Sequence, residues 1–282
     1  IIFCTSSGEM FYYDKLNDLL THSSESGFPF DTPAFIVNTM FTDSNKNLWI
    51  GSNDQGFKTI YNYKERFNED NTIRSAFAGK SVKSVVSDKQ DNLWVSTNLY
   101  GMFKYDMTSK TIEKIKHVHR ASNPLESDTV YGSFIDRDGF LWTMEVGKVT
   151  KSSIADGSMT PISSYNVFLP MSMSQSDDGT IWIASASQYV SYLRPGDTEA
   201  KKLKLFEGYS FIPSVSRYND KSMLVCGFRN RMKLINVETL EISDLPVKEE
   251  EWEACLKTPH FIPTDAYQDT RGNIWIGTVS NG

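Results

Sequence analysis

One short phrase recurs along this chain and limits its fold more than any other feature. A tryptophan with apolar neighbours stands at five places, Trp49, Trp94, Trp142, Trp182 and Trp275. The spacing is roughly 45 residues, which is the length of one four-stranded propeller blade and is too long for most helical repeats. We therefore predict that these tryptophans are core residues between blades and are not functional ones.

Residues at fixed distances from each tryptophan extend the repeat. Six positions upstream lie Asp43, Asp88, Asp136, Ser176 and Asp269. Asp followed by Asn, Asp or Gly before an apolar run is typical of turns, so these aspartates are predicted to form turns and not to bind calcium or catalyse. Ten positions upstream of the anchors stand small or short residues, as crowding around a central axis requires. They are Thr39, Ser84, Gly132, Ser172, Ser214 and Asp265.

Two degenerate copies keep the same register, with Ile2 and Leu224 at the tryptophan position. The sequence thus predicts an all-β fold, a seven-bladed β-propeller of four-stranded antiparallel blades. Each blade would contain an inner strand, the Trp strand, a Tyr/Phe strand and a polar outer strand such as 111–118. Residues 1–282 are predicted to form a single propeller. Because the chain starts inside a repeat and stops at Gly282 before the next strand, we expect a fragment of a longer protein with incomplete terminal blades.

Composition and motifs exclude several function classes. The formal net charge of -6 argues against nucleic acid as a partner, since phosphate binding needs a basic face. No apolar run is long enough to span a bilayer, so this segment is expected to make no membrane contact. His117 and His119 lack a third ligand and make a poor zinc site. No cofactor, metal or catalytic motif is predicted. Cys4 and Cys226 are predicted to be small core residues on separate blades.

The loops after the Trp strands are the predicted binding surface. They break the repeat while the strands keep it, as variable loops on a rigid scaffold do. Arginines in the sixth copy could pair an acidic sugar or a carboxylate, or could form a structural salt bridge. The candidate ligand-binding residues in these loops are Asn53, Asn98, Tyr100, Glu145, Tyr189, Arg229 and Arg231.

Trp252 is the one tryptophan outside the register, and it has two interpretations. It lies in an acidic stretch within the longest interval between anchors. An exposed indole there could stack on a sugar ring while carboxylates bind its hydroxyls. Alternatively, Trp252, Cys255 and Leu256 could form the apolar stripe of a short helix docked on the propeller.

The best-matching copies carry a family resemblance. Asp43 followed by Leu48-Trp49-Ile50-Gly51-Ser52, its counterpart from Asp88 to Asp106, and Asp269 with Ile274-Trp275-Ile276-Gly277-Thr278 resemble the two-component regulator propeller repeat. This resemblance implies the periplasmic sensor region of a hybrid histidine kinase anchored in the inner membrane. It also implies an oligosaccharide ligand, a second propeller and other domains as partners, and a homodimer. The segment contains no kinase motif, so no enzyme activity is expected of it.

Two other functions remain open on the sequence. Propeller glycoside hydrolases and polysaccharide lyases use carboxylates that are distant in sequence and carry no local motif. A propeller that binds only proteins, without a small ligand, would show the same strand repeat.

Overall fold

The protein is described by a computed structural model over residues 1–5, 9–26, 28, 36–43, 47–53, 55–60, 71–115, 128–208, 211–227, 232–248, 250, 252–253, 263–269 and 271–278. The chain forms two compact units, residues 1–135 and residues 136–282. Consecutive strands pair antiparallel in both units, because each run of alternating apolar residues is followed by a turn rich in Asp, Asn or Gly.

The first unit contains three antiparallel sheets, an eleventh strand and one short helix. Its sheets are β1–β2–β3, β4–β5–β6 and β7–β8–β9–β10. The elements are β1 (Ile2–Cys4), β2 (Met10–Asp14), β3 (Leu19–His22), β4 (Val37–Thr42), β5 (Leu48–Ser52), β6 (Phe57–Ile60), α1 (Asn71–Phe77), β7 (Val82–Ser87), β8 (Asn92–Thr97), β9 (Gly101–Asp106), β10 (Thr111–Ile115) and β11 (Val130–Ile135).

The second unit repeats the same strand order. Strands β12, β13 and β14 pair in sequence, and they are followed by the sheets β15–β18, β19–β22 and β23–β24. The strands are β12 (Leu141–Glu145), β13 (Lys148–Ser153), β14 (Thr160–Asn166), β15 (Pro170–Gln175), β16 (Ile181–Ser185), β17 (Tyr189–Leu193), β18 (Lys201–Lys204), β19 (Ser214–Arg217), β20 (Ser222–Cys226), β21 (Lys233–Asn236), β22 (Ile242–Asp244), β23 (Pro263–Gln268) and β24 (Ile274–Thr278).

The first strands of neighbouring sheets lie side by side. In the first unit β7 contacts both β4 and β11, and in the second unit β19 contacts both β15 and β23. Short side chains bridge these strands, as the expected crowding requires. Ser84 Oγ lies 2.7 Å from Ser133 Oγ, and Ser214 Oγ donates to Asp265 Oδ1 at 2.5 Å. Up-and-down sheets joined through their innermost strands are the arrangement of a β-propeller, and the all-β prediction is confirmed.

A hydrogen-bonded clamp explains the spacing of Asp and Trp. The aspartate six residues upstream accepts the indole N–H and also the main-chain N–H four residues along the turn. The indole bonds run from Trp49 to Asp43 (3.0 Å), Trp94 to Asp88 (2.8 Å), Trp142 to Asp136 (2.8 Å) and Trp275 to Asp269 (3.1 Å). Each carboxylate therefore satisfies a buried donor and fixes the turn, so the turn-forming role predicted for these aspartates is confirmed.

The copy without the aspartate reaches the same result by a relay. Trp182 Nε1 donates to Ser176 Oγ at 2.9 Å, and Ser176 Oγ donates to Asp178 Oδ1 at 2.5 Å. Asp178 in turn accepts from the main-chain N–H of Thr180 at 3.0 Å. In this copy the carboxylate stands two residues later in the turn than in the other copies, and the serine hydroxyl links it to the indole N–H.

The repeat tryptophans form the cores between sheets. Trp49, Trp94, Trp142 and Trp182 are all at most 3 % exposed. The Trp49 ring centroid lies 5.9 Å from that of Tyr105 in the following sheet, which is the predicted contact between blades. Trp275 differs, since it is only partly buried in a sheet of two described strands. Leu224, at a degenerate anchor, is buried as predicted.

A one-residue bulge recurs near the start of the inner strands. Pairing with the Trp strand skips a single residue in four sheets, namely Asn38, Lys83, Met171 and Thr264. The short residue predicted to face the axis follows directly, as Thr39 and Ser84 show. A bulge bends its strand and redirects the extra side chain.

Some elements differ from the expectation of uniform four-stranded blades. Helix α1 was not predicted; Ile73 and Phe77 pack its apolar side into the core of the first unit, where the Phe77 ring centroid lies 4.9 Å from that of Phe57. Two described sheets have three strands and one has two. The described part of the predicted outer strand 111–118 ends at Ile115. No helix among the described residues is long and apolar enough to cross a membrane.

Candidate functional site

Main-chain hydrogen bonds hold the loops after the Trp strands against the segments that enter the inner strands. The N–H of Asn53 donates to Ile36 O at 3.2 Å, and that of Asn98 donates to Ser81 O at 2.9 Å. In the second unit, Ala186 N–H donates to Leu169 O at 3.0 Å in the same way. Within a blade, the two kinds of loop therefore meet on one face, which we call the loop face.

In the first unit, polar side chains link the loop faces of successive sheets. Asn53 Oδ1 accepts from Ser81 Oγ at 3.3 Å and from Asn38 Nδ2 at 3.4 Å. Asn98 Oδ1 accepts from Thr129 Oγ1 at 3.3 Å. Amides and hydroxyls thus continue from the sheet β4–β6 across the sheet β7–β10 to the start of β11, with donors and acceptors near solvent. We call these residues, with Lys80 and Tyr100, the first-unit polar patch.

Tyr100 supplies an exposed ring at this patch. Its side chain is 42 % exposed, and the ammonium of Lys80 lies 5.3 Å from its ring centroid. The preceding residue, Leu99, has a φ of 70°, a backbone conformation that is uncommon for leucine. Its N–H donates to Thr129 Oγ1 at 3.2 Å, which helps to hold the loop in place. The loop therefore presents an apolar side chain and a phenol ring to solvent on a fixed backbone.

Glu145 and Tyr189 belong to the second unit and lie in different settings. Glu145 is 7 % exposed; it accepts from Thr143 Oγ1 at 3.1 Å and pairs with Lys148 at 3.3 Å across a two-residue turn. Tyr189 is half-buried, and its hydroxyl lies 3.4 Å from Gln188 Nε2. Glu145 is thus already satisfied by its neighbours, which favours a structural role for it.

The burial of Trp252 corrects the idea of an exposed indole. Trp252 is 4 % exposed and packs in a cluster with Leu224, Cys226 and Met232. Its N–H donates to Lys248 O at 3.0 Å, a helix-type bond to the fourth residue back. The indole is therefore enclosed by apolar neighbours, so stacking of Trp252 on a sugar is wrong as a prediction. The docked alternative fits, although Cys255 and Leu256 lie outside the described residues.

The remaining candidates are distributed as follows. Asn53, Asn98 and Tyr100 come together in the first-unit polar patch, whereas Glu145, Tyr189 and Trp252 lie in the second unit. Arg229 and Arg231 lie outside the described residues, as do His117 and His119. Among the described residues, no three His, Cys, Asp or Glu side chains are grouped as a metal site would require.

Lys80, Ser81, Asn38 and Thr129 were missed by sequence reasoning. They precede or open the inner strands, where the search had looked only for small residues facing the axis. Two of the hydrogen bonds, from Asn98 N–H to Ser81 O and from Asn53 N–H to Ile36 O, join residues that are 17 positions apart in both copies. Counting back by that interval from Asn98 would have found the Lys80-Ser81 segment.

The opposite ends of the Trp strands carry charges that are already paired. In the second unit, Asp177 accepts from Arg217 at 2.7 Å and from Arg137 at 2.6 Å; the Arg217 bond is the main cause of its lowered pKa. A cavity of about 100 Å³ nearby is lined by Lys151, whose ammonium lies 4.0 Å from the Phe140 ring centroid and 3.8 Å from Asp136. These groups support the turns, so this end is less suited to a ligand than the loop face.

Comparison with protein families gives one match. Residues 33–54 match the model described as two component regulator propeller. The match covers the copy around Trp49, one of the three copies that resemble this family most closely. A search of the curated proteins finds no match to this chain.

Comparison with solved structures agrees on the fold. One similar structure is the extracellular domain of a protein described as a hybrid two component system from B. thetaiotaomicron, with a TM-score of 0.70 and 16% identity over 98% of this chain and 39% of that chain. A second such domain from the same organism has a TM-score of 0.68 and 17% identity over 100% of this chain and 38% of that one. The chain therefore spans about two fifths of each of these domains.

An enzyme with the same architecture is also similar. A streptogramin B lyase structure has a TM-score of 0.69 and 12% identity, and the match covers 97% of this chain and 84% of that chain. At these identities, all three structures establish the β-propeller fold of this chain and nothing about its ligand.

Proposed function

We propose that this propeller is a ligand-binding module in the extracytoplasmic, periplasmic part of a two-component sensor. The observation that carries this proposal is the family match at residues 33–54, in a chain whose fold is shared with extracellular domains of hybrid two component systems. The parent protein would be a histidine kinase of the inner membrane. Because the chain spans about two fifths of those domains, a second propeller and further domains would complete the sensor.

The ligand we propose is an oligosaccharide bound at the loop face. Support comes from the first-unit polar patch, where an exposed Tyr100 ring is bordered by the amides of Asn53 and Asn98 and by the hydroxyls of Ser81 and Thr129. Sugar rings bind through stacking on an aromatic face and hydrogen bonds to their hydroxyls, and this patch offers both. Rigid strands beneath the loops would keep the patch preorganised.

Signalling would follow from differential binding. A saccharide that binds one domain or dimer arrangement better than another shifts the population towards it. The clamped tryptophan strands would stay fixed while the arrangement of domains or protomers changes. We further propose that the blades close as a ring of seven and that the sensor acts as a homodimer.

The test is calorimetric titration of the intact extracellular region with a panel of oligosaccharides, comparing wild type with Tyr100→Ala. We expect one saccharide class to bind, and the substitution to weaken its binding. Tyr267→Ala is the matched control, because Tyr267 is likewise an exposed tyrosine, at 56%, but belongs to β23 of the second unit and is not a residue of the patch. An unchanged affinity in Tyr100→Ala would show that the saccharide does not bind at this patch. Absence of binding to every saccharide would instead favour a propeller that binds only proteins.

The likeness to a streptogramin B lyase makes an enzyme the second candidate. The same saccharides are therefore incubated with the protein and analysed for cleaved products. Multiple turnovers would overturn the sensor proposal in favour of a propeller hydrolase or lyase. A binding module should return the saccharides intact.

A further inference from the structure

Two lysines stand in the segments that carry the first-unit polar patch. Among the described residues of those segments (36–39, 52–53, 79–84, 97–101 and 128–132), the charged side chains are Lys80, Lys83 and Asp128. Lysines thus outnumber aspartates in these described segments, whereas the whole chain has a formal net charge of -6.

Lys80 is held in place without a carboxylate. Its ammonium donates to Ala76 O, near the end of α1, at 2.6 Å and lies 5.3 Å from the Tyr100 ring centroid. In the described part of the chain, no acidic side chain lies within ion-pair distance of it. An ammonium has three donors, so Lys80 keeps donors for a ligand lying on the Tyr100 ring.

Lys83 is the bulged residue of β7, between Val82 and Ser84. Asn38 Nδ2, from the bulge of β4, donates to Val82 O at 3.2 Å, which places an amide beside this position. Tyr131, the second residue of the adjacent strand β11, is 38% exposed. Lys83 also has no ion pair with any residue that the structure describes. The bulge therefore places a second lysine in β7, whose neighbouring strands β4 and β11 carry Asn38 and Tyr131.

We propose that the first-unit polar patch recognises a negatively charged saccharide, with Lys80 and Lys83 binding its carboxylate or sulfate groups. This inference rests on the proposed function and adds the charge class of the ligand. A neutral sugar would need only the ring, amides and hydroxyls, and would leave both ammonium groups unused. An anionic sugar gains charge-assisted hydrogen bonds from them, which are about twice as strong as neutral ones.

The experiment titrates the intact extracellular region with three oligosaccharides of equal length. The probes are an oligogalacturonide, which carries carboxylates, a carrageenan oligosaccharide, which carries sulfates and no carboxylate, and a neutral xylo-oligosaccharide. We expect at least one anionic probe to bind about tenfold or more tightly than the neutral one, as hydrogen bonds to charged groups imply. The preferred anion identifies the source of the charge, carboxylate or sulfate. Affinity for that probe should fall as salt is raised.

Substitutions assign the effect to the two lysines. Lys83→Gln should weaken binding of the preferred anion about tenfold, and Lys83→Arg should retain most of it. Lys80→Gln should act in the same direction; because Lys80 also bonds to the end of α1, its folding is checked by circular dichroism. The matched control is Lys114→Gln, which removes the same charge from the exposed outer strand β10 of the same sheet. It should leave the affinity unchanged.

The outcomes separate this inference from the proposed function. If the xylo-oligosaccharide binds as tightly as both anions, or Lys83→Gln and Lys80→Gln leave anion binding intact, the charge inference is overturned while saccharide binding stands. If folded wild-type protein binds none of the probes and no other saccharide, both proposals fall. Selective loss of anion binding in both variants supports the inference.

Discussion

At the scale of single residues, burial separates the aromatic side chains by role. The repeat indoles at Trp49, Trp94, Trp142 and Trp182 are enclosed, and so is Trp252, which the sequence marked as exceptional. Tyr100 was one of several loop candidates in the sequence, and it is exposed beside a lysine. Side-chain type therefore predicted which residues are aromatic anchors, whereas their accessibility depended on packing between distant segments.

This difference gives a prediction for a pair of variants. Trp252→Ala should lower the free energy of unfolding by about 3–5 kcal/mol, because it empties a buried site against Leu224 and Met232. Tyr100→Ala should cost less than about 1 kcal/mol, since it loses one exposed cation–π contact. Urea denaturation monitored by circular dichroism measures both. A stable Trp252→Ala variant with lost saccharide binding would instead restore the exposed-indole interpretation.

At the scale of elements, the clamp shows what the sequence could reveal. Asp88 and Trp94 lie on either side of one turn, so their hydrogen bond depends on a fixed short spacing that repeats visibly. Helix α1 was missed because it lies in an interval between repeats, where the sequence does not follow the repeated motif. The bulges were missed for the opposite reason: four inner strands contain one, so counting residues between copies shows no irregularity.

The packing of α1 gives a second prediction. Gly56 has a φ of 80°, and a Cβ there would lie 2.8 Å from Phe77 Cβ of the helix. Gly56→Ala should therefore lower the free energy of unfolding by about 1–2 kcal/mol for the strained backbone, and by a further amount for the steric clash. Gly79→Ala is the control, because Gly79 has a φ of 71° and nothing within 4 Å of the added atom.

The difference between the two variants isolates the contact of Gly56, the residue before β6, with Phe77 of α1. We expect Gly56→Ala to unfold at a clearly lower urea concentration than Gly79→Ala. Equal midpoints would show that Phe77 and its helix move aside at no cost, and that α1 is not fixed against this sheet.

At the scale of the whole molecule, the carboxylate of Asp269 links folding to pH. Burial tends to raise the pKa of Asp269, but hydrogen bonds from Trp275 and Asn273 outweigh it and lower the pKa to about 2. An aspartate in the unfolded chain has a pKa of about 3.9. The clamp therefore stabilises the fold fully above that pH, and the stabilisation is lost as the pH falls towards 2. The same bonds at Asp43, Asp88 and Asp136 distribute the clamp along the chain.

The corresponding prediction concerns acid unfolding. Asp269→Asn should be less stable than wild type at pH 6, and its urea midpoint should change less between pH 5 and pH 2. Asp220→Asn, at an exposed turn of the same unit, should follow the wild-type curve. The measurement is a series of urea titrations over that pH range. Parallel curves for Asp269→Asn and wild type would contradict the role of the clamp.

The whole-molecule architecture was predictable because its determinants repeat, and the binding surface was only partly predictable because its determinants do not. Loop residues such as Asn98 were found as departures from the repeat. Their partners Ser81 and Thr129 come from the segments before two different inner strands, and only the folded chain shows that they meet.

The extra residue in each bulged inner strand separates two kinds of change. Asn38, Lys83, Met171 and Thr264 sit outside the ladder register, so their identities can differ without disturbing the paired residues on either side. The residue at each bulge can thus be exchanged for another while the strand pairing, and with it the fold, is kept. Chemically distinct binding surfaces could then diverge by exchanging a few such residues, with the indole clamps left untouched.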